Sequence, residues 1–281
     1  VADITEVAKV APNVTLEVSR GTNSTLTAFI RGVGQQDPVA GFEAGVGIYV
    51  DDVYLNRPQS AVLDVFDVER IEVLRGPQGT LFGANTSAGI INVVTKRPEY
   101  EFSSHAELDY VAGAEEGYGI AGGFTGGIDD NLAMRVFGAY RERDGFQQVE
   151  TFGGPRTETR DGDQDYYTLR TQFLVDFADN VNLLLSADYT KREEFCCGAP
   201  SLVSGPTAFA INGLVPGARP LPGADDPFSR VIQSNRDTGQ NIIDHGFSGE
   251  LNWEFDNFDM TAIVSDRSYS LRSGQDTDFT G

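Results

Sequence analysis

The sequence predicts a small α+β domain over residues 1–98, followed over residues 99–281 by the first strands of an antiparallel transmembrane β-barrel. The first observation is charge. The 281-residue chain has a net charge of −21, yet residues 1–98 carry 8 basic and 11 acidic side chains while residues 99–281 carry 13 and 31. The other two are a period-two alternation of apolar residues after Pro98 and an alternation of short and long connections between those runs. The acidity excludes nucleic acid as a partner, because a phosphate backbone is bound by a basic surface.

Residues 1–98 mix short runs of β-branched residues with glycine-rich turns, the pattern of a small mixed domain. A short amphipathic helix is predicted from Ile4 to Val10, because Asp3 precedes it and Pro12 follows it closely. A turn-rich link with a single helical turn is predicted over residues 75–85. Short strands are predicted at Leu26–Arg31, Val46–Val53, Val68–Leu74 and Gly89–Thr95.

After Pro98 apolar and polar residues alternate in runs of about ten residues, the length and period of a strand with one apolar and one wet face. In one run Leu169 and Phe173 alternate with Arg170 and Gln172. The seven runs cover residues 105–110, 118–124, 132–141, 167–177, 181–189, 247–255 and 258–265. Aromatic residues near the run ends predict an interfacial girdle made of Tyr140, Tyr166, Tyr167, Phe177, Tyr189, Phe255 and Phe258.

The connections between these runs alternate in length. Residues 128–131, 178–180 and 256–257 form tight turns rich in Asp and Asn, which tolerate a left-handed backbone. The intervening links, Asp144–Gln164 and Glu193–Asp244, are long and rich in Gly, Pro and Ser. Short turns on one side and long loops on the other are typical of an outer-membrane barrel. The alternative is a soluble meander or sandwich, for which a loop of about fifty residues is unusually long.

Sites of chemistry are few in this sequence. No run approaches the ~18 consecutive apolar residues that a membrane helix needs. No nucleophile–base pair, cofactor motif or metal-ligand spacing is evident, so no enzyme, cofactor or metal site is predicted. The two cysteines, Cys196 and Cys197, are adjacent; they form either a vicinal disulfide in an oxidising compartment or two free thiols.

Three blocks within residues 1–98 resemble the plug domain of bacterial TonB-dependent outer-membrane receptors and follow one another in that family's order. They read IRGVG (residues 30–34), VDDVY (50–54), and VERIEVLRGPQGTLFGAN (68–85) with AGIINVVTKRP (88–98). The departures are Asp51-Asp52, where the family commonly has Asp-Gly, and Ala88-Gly89, where it often has paired glycines. The resemblance marks as motif residues Gly32, Asp51, Glu72, Gly76, Pro77, Gly83 and Asn92.

The resemblance implies a plug seated inside a barrel of about 22 strands, far more than residues 99–281 can supply. The chain is therefore expected to be a fragment, with a plug truncated at its N-terminus because the family's energy-coupling box is missing. In the family, arginines at the positions of Arg31 and Arg75 bind glutamates on the inner barrel wall. These two are therefore expected to form a plug–barrel lock, with partner glutamates beyond residue 281; the alternative is two ordinary surface arginines.

The resemblance also implies uptake of a scarce ligand, powered by the proton motive force through the TonB complex, which would engage the missing box. A ferric siderophore or other iron complex is the first expectation; vitamin B12, haem and oligosaccharides are further family ligands, and outer-membrane lipid surrounds the strands. Ligand contacts are expected at residues 34–43, residues 54–60 and the two long loops, in particular at Gln35, Gln36, Tyr54, Asn56 and Arg57. The alternatives are a passive porin-like or adhesin barrel with an N-terminal domain, and a surface enzyme.

Overall fold

The N-terminal region of the chain, up to residue 98, contains two small sheets. The computed structural model describes residues 4–19, 23–36, 43–57, 67–113, 115–151, 153–198 and 228–276. The first sheet is antiparallel and follows a 3-10 helix (Ile4–Lys9); its strands are β1 (Val14–Val18), β2 (Leu26–Ile30) and β3 (Val33–Gly34). The second has the order β5-β4-β7-β6 and contains β4 (Val46–Val50), β5 (Val53–Tyr54), β6 (Val68–Arg75) and β7 (Gly89–Thr95). A single helical turn, α1 (Gly79–Phe82), lies in the predicted link between β6 and β7.

One apolar core joins the 3-10 helix to both sheets. Ile4, Ile30 and Ile91 are at most 1% exposed and belong to the same cluster. β7 is buried along its whole length because it runs between β4 and β6, and it reads as an almost continuous apolar run. The predicted strand Val46–Val53 is divided, since Asp51 and Asp52 both have positive φ and form a two-residue hairpin turn between β4 and β5.

The second part of the chain forms a seven-stranded antiparallel sheet, here called the strand wall. Its order is β17-β16-β14-β13-β10-β9-β8. The strands are β8 (Ser103–Val111), β9 (Gly117–Asp129), β10 (Leu132–Arg143), β13 (Gln164–Ala178), β14 (Val181–Phe195), β16 (Gly239–Glu254) and β17 (Asp259–Ser273). All seven predicted runs are therefore strands of one sheet, and the three predicted tight turns connect sequence neighbours. In the described residues, no helix is both long and apolar enough to cross a membrane.

The two faces of the strand wall have opposite surroundings. Arg135, Gln172 and Glu250 point to the face that the N-terminal region covers, and each is less than 9% exposed. The other face leaves apolar side chains in the open, including Leu108 at 78%, Leu169 at 50% and Val264 at 74%. The soluble-core alternative needed this apolar face to be buried, and it is not.

The exposed face carries aromatic pairs near both ends of the strands. At the long-loop end Tyr118 packs on Tyr140 and Tyr167 on Tyr189, with ring centroids 5.8 and 5.9 Å apart. At the short-turn end Phe255 stacks on Trp253 and Phe258. The prediction was wrong for Tyr166, which is 1% exposed on the opposite face with the Arg192 guanidinium 4.1 Å from its ring centroid.

A third sheet, absent from the sequence prediction, lies within the long loops. It pairs β11 (Gln147–Glu150) with β12 (Arg160–Asp161) and, in parallel, with β15 (Val231–Gln233). The second long loop is also shorter at both ends than predicted, because β14 continues to Phe195 and β16 begins at Gly239. The loop ends therefore form an ordered rim above the strand wall.

Candidate functional site

The hairpin turn at Asp51-Asp52 is tied to the end of β7. Asp51 accepts hydrogen bonds from the Thr95 amide at 2.8 Å and the Thr95 hydroxyl at 2.7 Å. Asp52 accepts one from the Asn92 side-chain amide at 2.7 Å. Burial raises the pKa of Asp52 against that hydrogen bond, and the nearby Glu250 carboxylate raises it further. The second motif block therefore fixes the turn to the buried strand beside it.

The link between β6 and β7 closes with glycines at positions of positive φ. Gly76 and Gly83 have φ of 108° and 78°, as Gly32 has in the first block at 79°. The Tyr49 hydroxyl donates to the Phe82 carbonyl at 2.8 Å, and burial raises the pKa of that phenol. These residues hold α1 against β4.

The remaining motif residues are positioned within the same region. Asn92 is 2% exposed in β7, whereas Glu72 in β6 is half-buried and accepts a hydrogen bond from Arg70 Nε at 2.7 Å. Pro77 is exposed directly after Gly76. Their positions support the local fold around the link.

The predicted ligand-facing residues lie toward the end of the four-stranded sheet opposite the Asp51-Asp52 turn. The Leu55 amide donates to the Ile48 carbonyl, so residues 56 and 57 run back along β4 toward Val46. Gly34, which precedes Gln35 and Gln36, lies beside Gly45 at the same end. Gln36, Asn56 and Arg57 are exposed, whereas Gln35 and Tyr54 are half-buried, and Asn85 donates to the Tyr54 hydroxyl. Residues 37–42, 58–60 and 199–227, which belong to the predicted ligand segments, lie outside the described residues.

Arg31 and Arg75 are both exposed and close to the start of β1. Arg75 Nη1 donates to the Pro12 carbonyl at 3.1 Å, and the Arg31 amide donates to the Asn13 carbonyl at 2.8 Å. Their predicted partners were placed beyond residue 281, so the lock that they would form stays a prediction.

Other side chains connect the N-terminal region to the strand wall near its short-turn end. Arg135 of β10 binds the Asp67 carboxylate with two nitrogens, with Nε 2.7 Å from Oδ2. Gln172 of β13 donates to the Thr95 hydroxyl at 3.1 Å. These contacts escaped prediction, because a polar residue on the wet face of a run does not indicate which residue it meets.

Two further contacts extend this attachment. Arg97 Nη2 lies 2.8 and 3.0 Å from the two carboxylate oxygens of Glu250 in β16. At the long-loop end the Asn23 side-chain amide donates to Glu194 Oε2 at 3.1 Å and to the Asp163 carbonyl at 3.2 Å. The N-terminal region is thus attached at both ends of the wall by polar groups.

Between these attachments lies a small cavity of about 20 Å³, lined on one side by Val50, Asp51 and Val53. On the wall side Arg267 pairs with Asp188 at 2.7 Å and with Asp244 at 2.9 Å. The volume is close to that of a single water molecule, and Asp51, Asp188 and Arg267 give the mixed lining polar groups that could bind one. The interface is therefore charged and open to hydration instead of a dry apolar seam.

The rim contains the cysteines and an acidic cavity. Cys196 and Cys197 are joined in a vicinal disulfide after β14, and the Gln240 side-chain amide lies 2.7 Å from Cys196 Sγ. A cavity of about 250 Å³ lies nearby, lined by Glu142, Asp144, Glu158, Asp163 and Asp165 with Arg143 and Arg160. Burial raises the pKa of Asp163 to about 6, against a hydrogen bond from the Phe195 amide and with help from the Glu194 carboxylate.

Comparison with known proteins identifies the N-terminal region. Residues 1–90 match the family model described as the TonB-dependent receptor plug domain. They are a plug domain. The pesticin receptor of Yersinia pestis is 37% identical to this chain over 94 residues, which make up 32% of the chain and 13% of that protein. The ferrioxamine receptor of Yersinia enterocolitica is 27% identical over 191 residues, which make up 68% of the chain and 24% of that protein.

The plug and the strand wall together match the solved structures of two siderophore receptors. The ferric yersiniabactin uptake receptor FyuA from Yersinia pestis superposes with a TM-score of 0.73 at 19% identity, covering 98% of this chain and 40% of that one. The siderophore receptor PirA from Acinetobacter baumannii gives a TM-score of 0.64 at 17% identity over 94% of the chain and 37% of its own. The chain thus spans well under half the length of these relatives, and it shares their fold. This chain is located in the bacterial outer membrane. Its Vibrio cholerae relative is named iron-regulated outer membrane virulence protein.

Proposed function

We propose that the chain is the plug and first barrel strands of a receptor that takes up a scarce ligand, with a ferric siderophore or another iron complex as the first candidate. Uptake is driven by the proton motive force through the TonB complex, and the complete barrel has about 22 strands. The domain boundary lies at Pro98, with the plug before it and the barrel after it. The observation that supports this proposal is a plug attached by polar side chains to one face of a sheet whose other face exposes apolar residues.

The arrangement of the interface supports active over passive passage. A plug that only closed a pore would be stabilised best by apolar packing, whereas charged groups such as Asp67 and Arg97 regain hydration when they separate from the wall. The names of similar proteins, the ferrioxamine receptor and the ferric yersiniabactin uptake receptor among them, favour an iron complex. Ligand contact is assigned to the end of the plug that faces the long loops, at Gln35, Gln36, Tyr54, Asn56 and Arg57.

Uptake in cells tests this function. The gene that encodes the chain is expressed in its full length in a strain lacking its own siderophore receptors, with and without TonB. Accumulation is then measured for radioiron-loaded hydroxamate, catecholate and phenolate siderophores, and for haem and cobalamin. Accumulation of one ligand that needs both TonB and the proton motive force is expected. Uptake that persists without TonB contradicts the proposal and favours a passive barrel.

A further inference from the structure

We infer that Asp67 and Arg135 form a buried anchor that seats the plug on the barrel wall, with the acid on the plug and the base on the wall. This inference rests on the proposed function. Its charge order is the reverse of the one that the resemblance implies for Arg31 and Arg75, which would place the bases on the plug. The two residues are therefore proposed as a positioning pair and not as part of a ligand site.

The backbone around Asp67 prepares its carboxylate for this role. Asp67 directly precedes β6 and has φ of 53°, a conformation that Asp tolerates better than most residues. Its carbonyl accepts a hydrogen bond from the Lys96 amide, one residue beyond the end of β7. The start of β6 and the end of β7 are thus held together at the point where the side chain reaches the wall.

The pair itself is bidentate and almost fully enclosed. Arg135 Nε and Nη2 each donate to one oxygen of the Asp67 carboxylate, and the side chains are 7% and 1% exposed. A planar guanidinium that matches both carboxylate oxygens fixes position and orientation together. His105 of β8, two strands away from β10 in the wall, lies 4.0 Å from the same carboxylate, and its ring stacks on Phe137 of β10.

The contacts beside this pair distinguish it from the other plug–wall attachments. Arg97 also binds a wall carboxylate, but its side chain is 46% exposed and stays partly hydrated. Exposed ion pairs contribute little, whereas removing one member of a buried pair leaves an uncompensated charge. Between Asp67–Arg135 and Arg97–Glu250, the first is therefore the pair whose loss should unseat the plug.

The test is ion conductance of the complete purified protein in planar lipid bilayers, without ligand and without TonB. The variants are Asp67→Asn, which keeps tolerance of the positive φ, and Arg135→Met, which keeps an unbranched stem but removes the charged guanidinium. Each is expected to raise the open fraction about a hundredfold or more, the ratio that corresponds to ~3 kcal/mol for a buried pair that loses one partner. The double variant removes both charges and is expected to conduct less than either single variant.

The matched control is Arg141→Met on the same strand, whose guanidinium lies 3.4 Å from the Asp109 carboxylate of the wall. Its conductance should stay at the wild-type level. Arg135→Lys keeps the charge without the bidentate geometry; it should assemble even where the neutral variants do not, and it should conduct at an intermediate level. Single variants that conduct like the wild type, or a double variant whose effect is the product of the two, would overturn the inference.

This experiment is independent of the transport test. If wild-type uptake needs no TonB but the single variants conduct, the proposed transport function fails and the anchor stands. If uptake needs TonB but the single variants conduct like the wild type, the anchor is refuted and the transport function stands.

Discussion

Gly89 is the position in the plug where a single methyl group should do the most damage. It is the first residue of β7 and has φ of 147°, a conformation that L-residues rarely adopt. A Cβ atom there would lie 2.3 Å from the Leu74 carbonyl oxygen and 2.8 Å from Ile30 Cδ1. Because the first of these atoms belongs to the backbone of β6, relief requires the two paired strands to move apart.

The magnitude follows from two contributions. Holding alanine in a backbone conformation that favours glycine costs about 1–3 kcal/mol. Forcing a methyl group into a well-packed site costs roughly another 1–3 kcal/mol. Gly89→Ala is therefore expected to lower the free energy of plug unfolding by about 2–6 kcal/mol. Gly76→Ala separates the two contributions, because Gly76 has φ of 108° but no atom within 4 Å of its would-be Cβ.

The assay is urea unfolding of the complete protein in detergent micelles, with hydrogen exchange of the β7 amides as the readout of plug stability. The expected order of stability is Gly79→Ala, then Gly76→Ala, then Gly89→Ala. Gly79 lies in α1, and a Cβ atom added there would meet only Thr86 Oγ1, at 3.9 Å. Alanine at this position is therefore expected to be neutral or slightly stabilising. A Gly89→Ala plug as stable as the Gly76→Ala plug would refute the argument, because it would show that β6 yields without cost.

Three further predictions concern the turn, the rim and the exposed face. Asp51→Ala removes both side-chain hydrogen bonds to Thr95 and should lower plug stability by about 1–3 kcal/mol in the same assay, whereas an unchanged value would contradict the role given to that turn. Burial raises the pKa of Asp163 to about 6, so the folded rim binds the proton more tightly than the unfolded chain. Rim stability should therefore fall as pH rises from 3.8 to about 6, and Asp163→Asn should abolish that slope in hydrogen exchange of the Phe195 amide, corrected for intrinsic rates. Phe173→Arg, midway along the exposed face, should destabilise the protein folded in phospholipid vesicles by about 2–4 kcal/mol. Tyr167→Arg, near the aromatic end, should destabilise it by only ~0–1 kcal/mol. Equal costs would show that this face does not meet lipid.

Local patterns in the sequence were sufficient to predict the seven wall strands and the buried strand β7. The wall strands follow from a period of two, which assigns Leu169 to one face and Gln172 to the other without knowledge of any partner. β7 follows from its β-branched run and the glycine before it. These elements depend on residues near one another in the chain, and the prediction was confirmed for them.

Elements that depend on distant partners could not be predicted in the same way. β11 and β15 pair in parallel between Gln148 and Val231, and each strand is too short to show a period. Tyr166 and Tyr167 are both aromatic, so the girdle prediction had no local means of choosing between them. The choice is made by Arg192, which covers the ring of Tyr166 on the inner face.

The candidate site combines both situations. The turn-rich link predicted the turn residues Gly76 and Gly83, because left-handed positions are local requirements of a tight turn, whereas Asp51 was placed within a predicted strand. The plug–wall pairs are different, since Asp67 and Arg135 are separated by 68 positions and neither is distinguished by its neighbours. Charge alone indicates that an arginine on the wet face needs a partner, and the fold decides which one.

The chemistry of this pair suits a plug that must be held firmly and yet be released. Apolar packing of similar volume would give the seat at least as much net stability, because a buried ion pair first has to lose its hydration. Such packing would also have to be exposed to water in full whenever the plug moved. When Asp67 and Arg135 separate as the plug leaves the wall, both charges are hydrated again, so withdrawal of the whole plug costs much less than deletion of one partner in place. An unpaired buried charge is thus costlier than two hydrated charges, and for the same reason the double variant, which leaves no unpaired charge, should conduct less than either single variant. The pair therefore opposes a small displacement of the plug more strongly than its complete withdrawal.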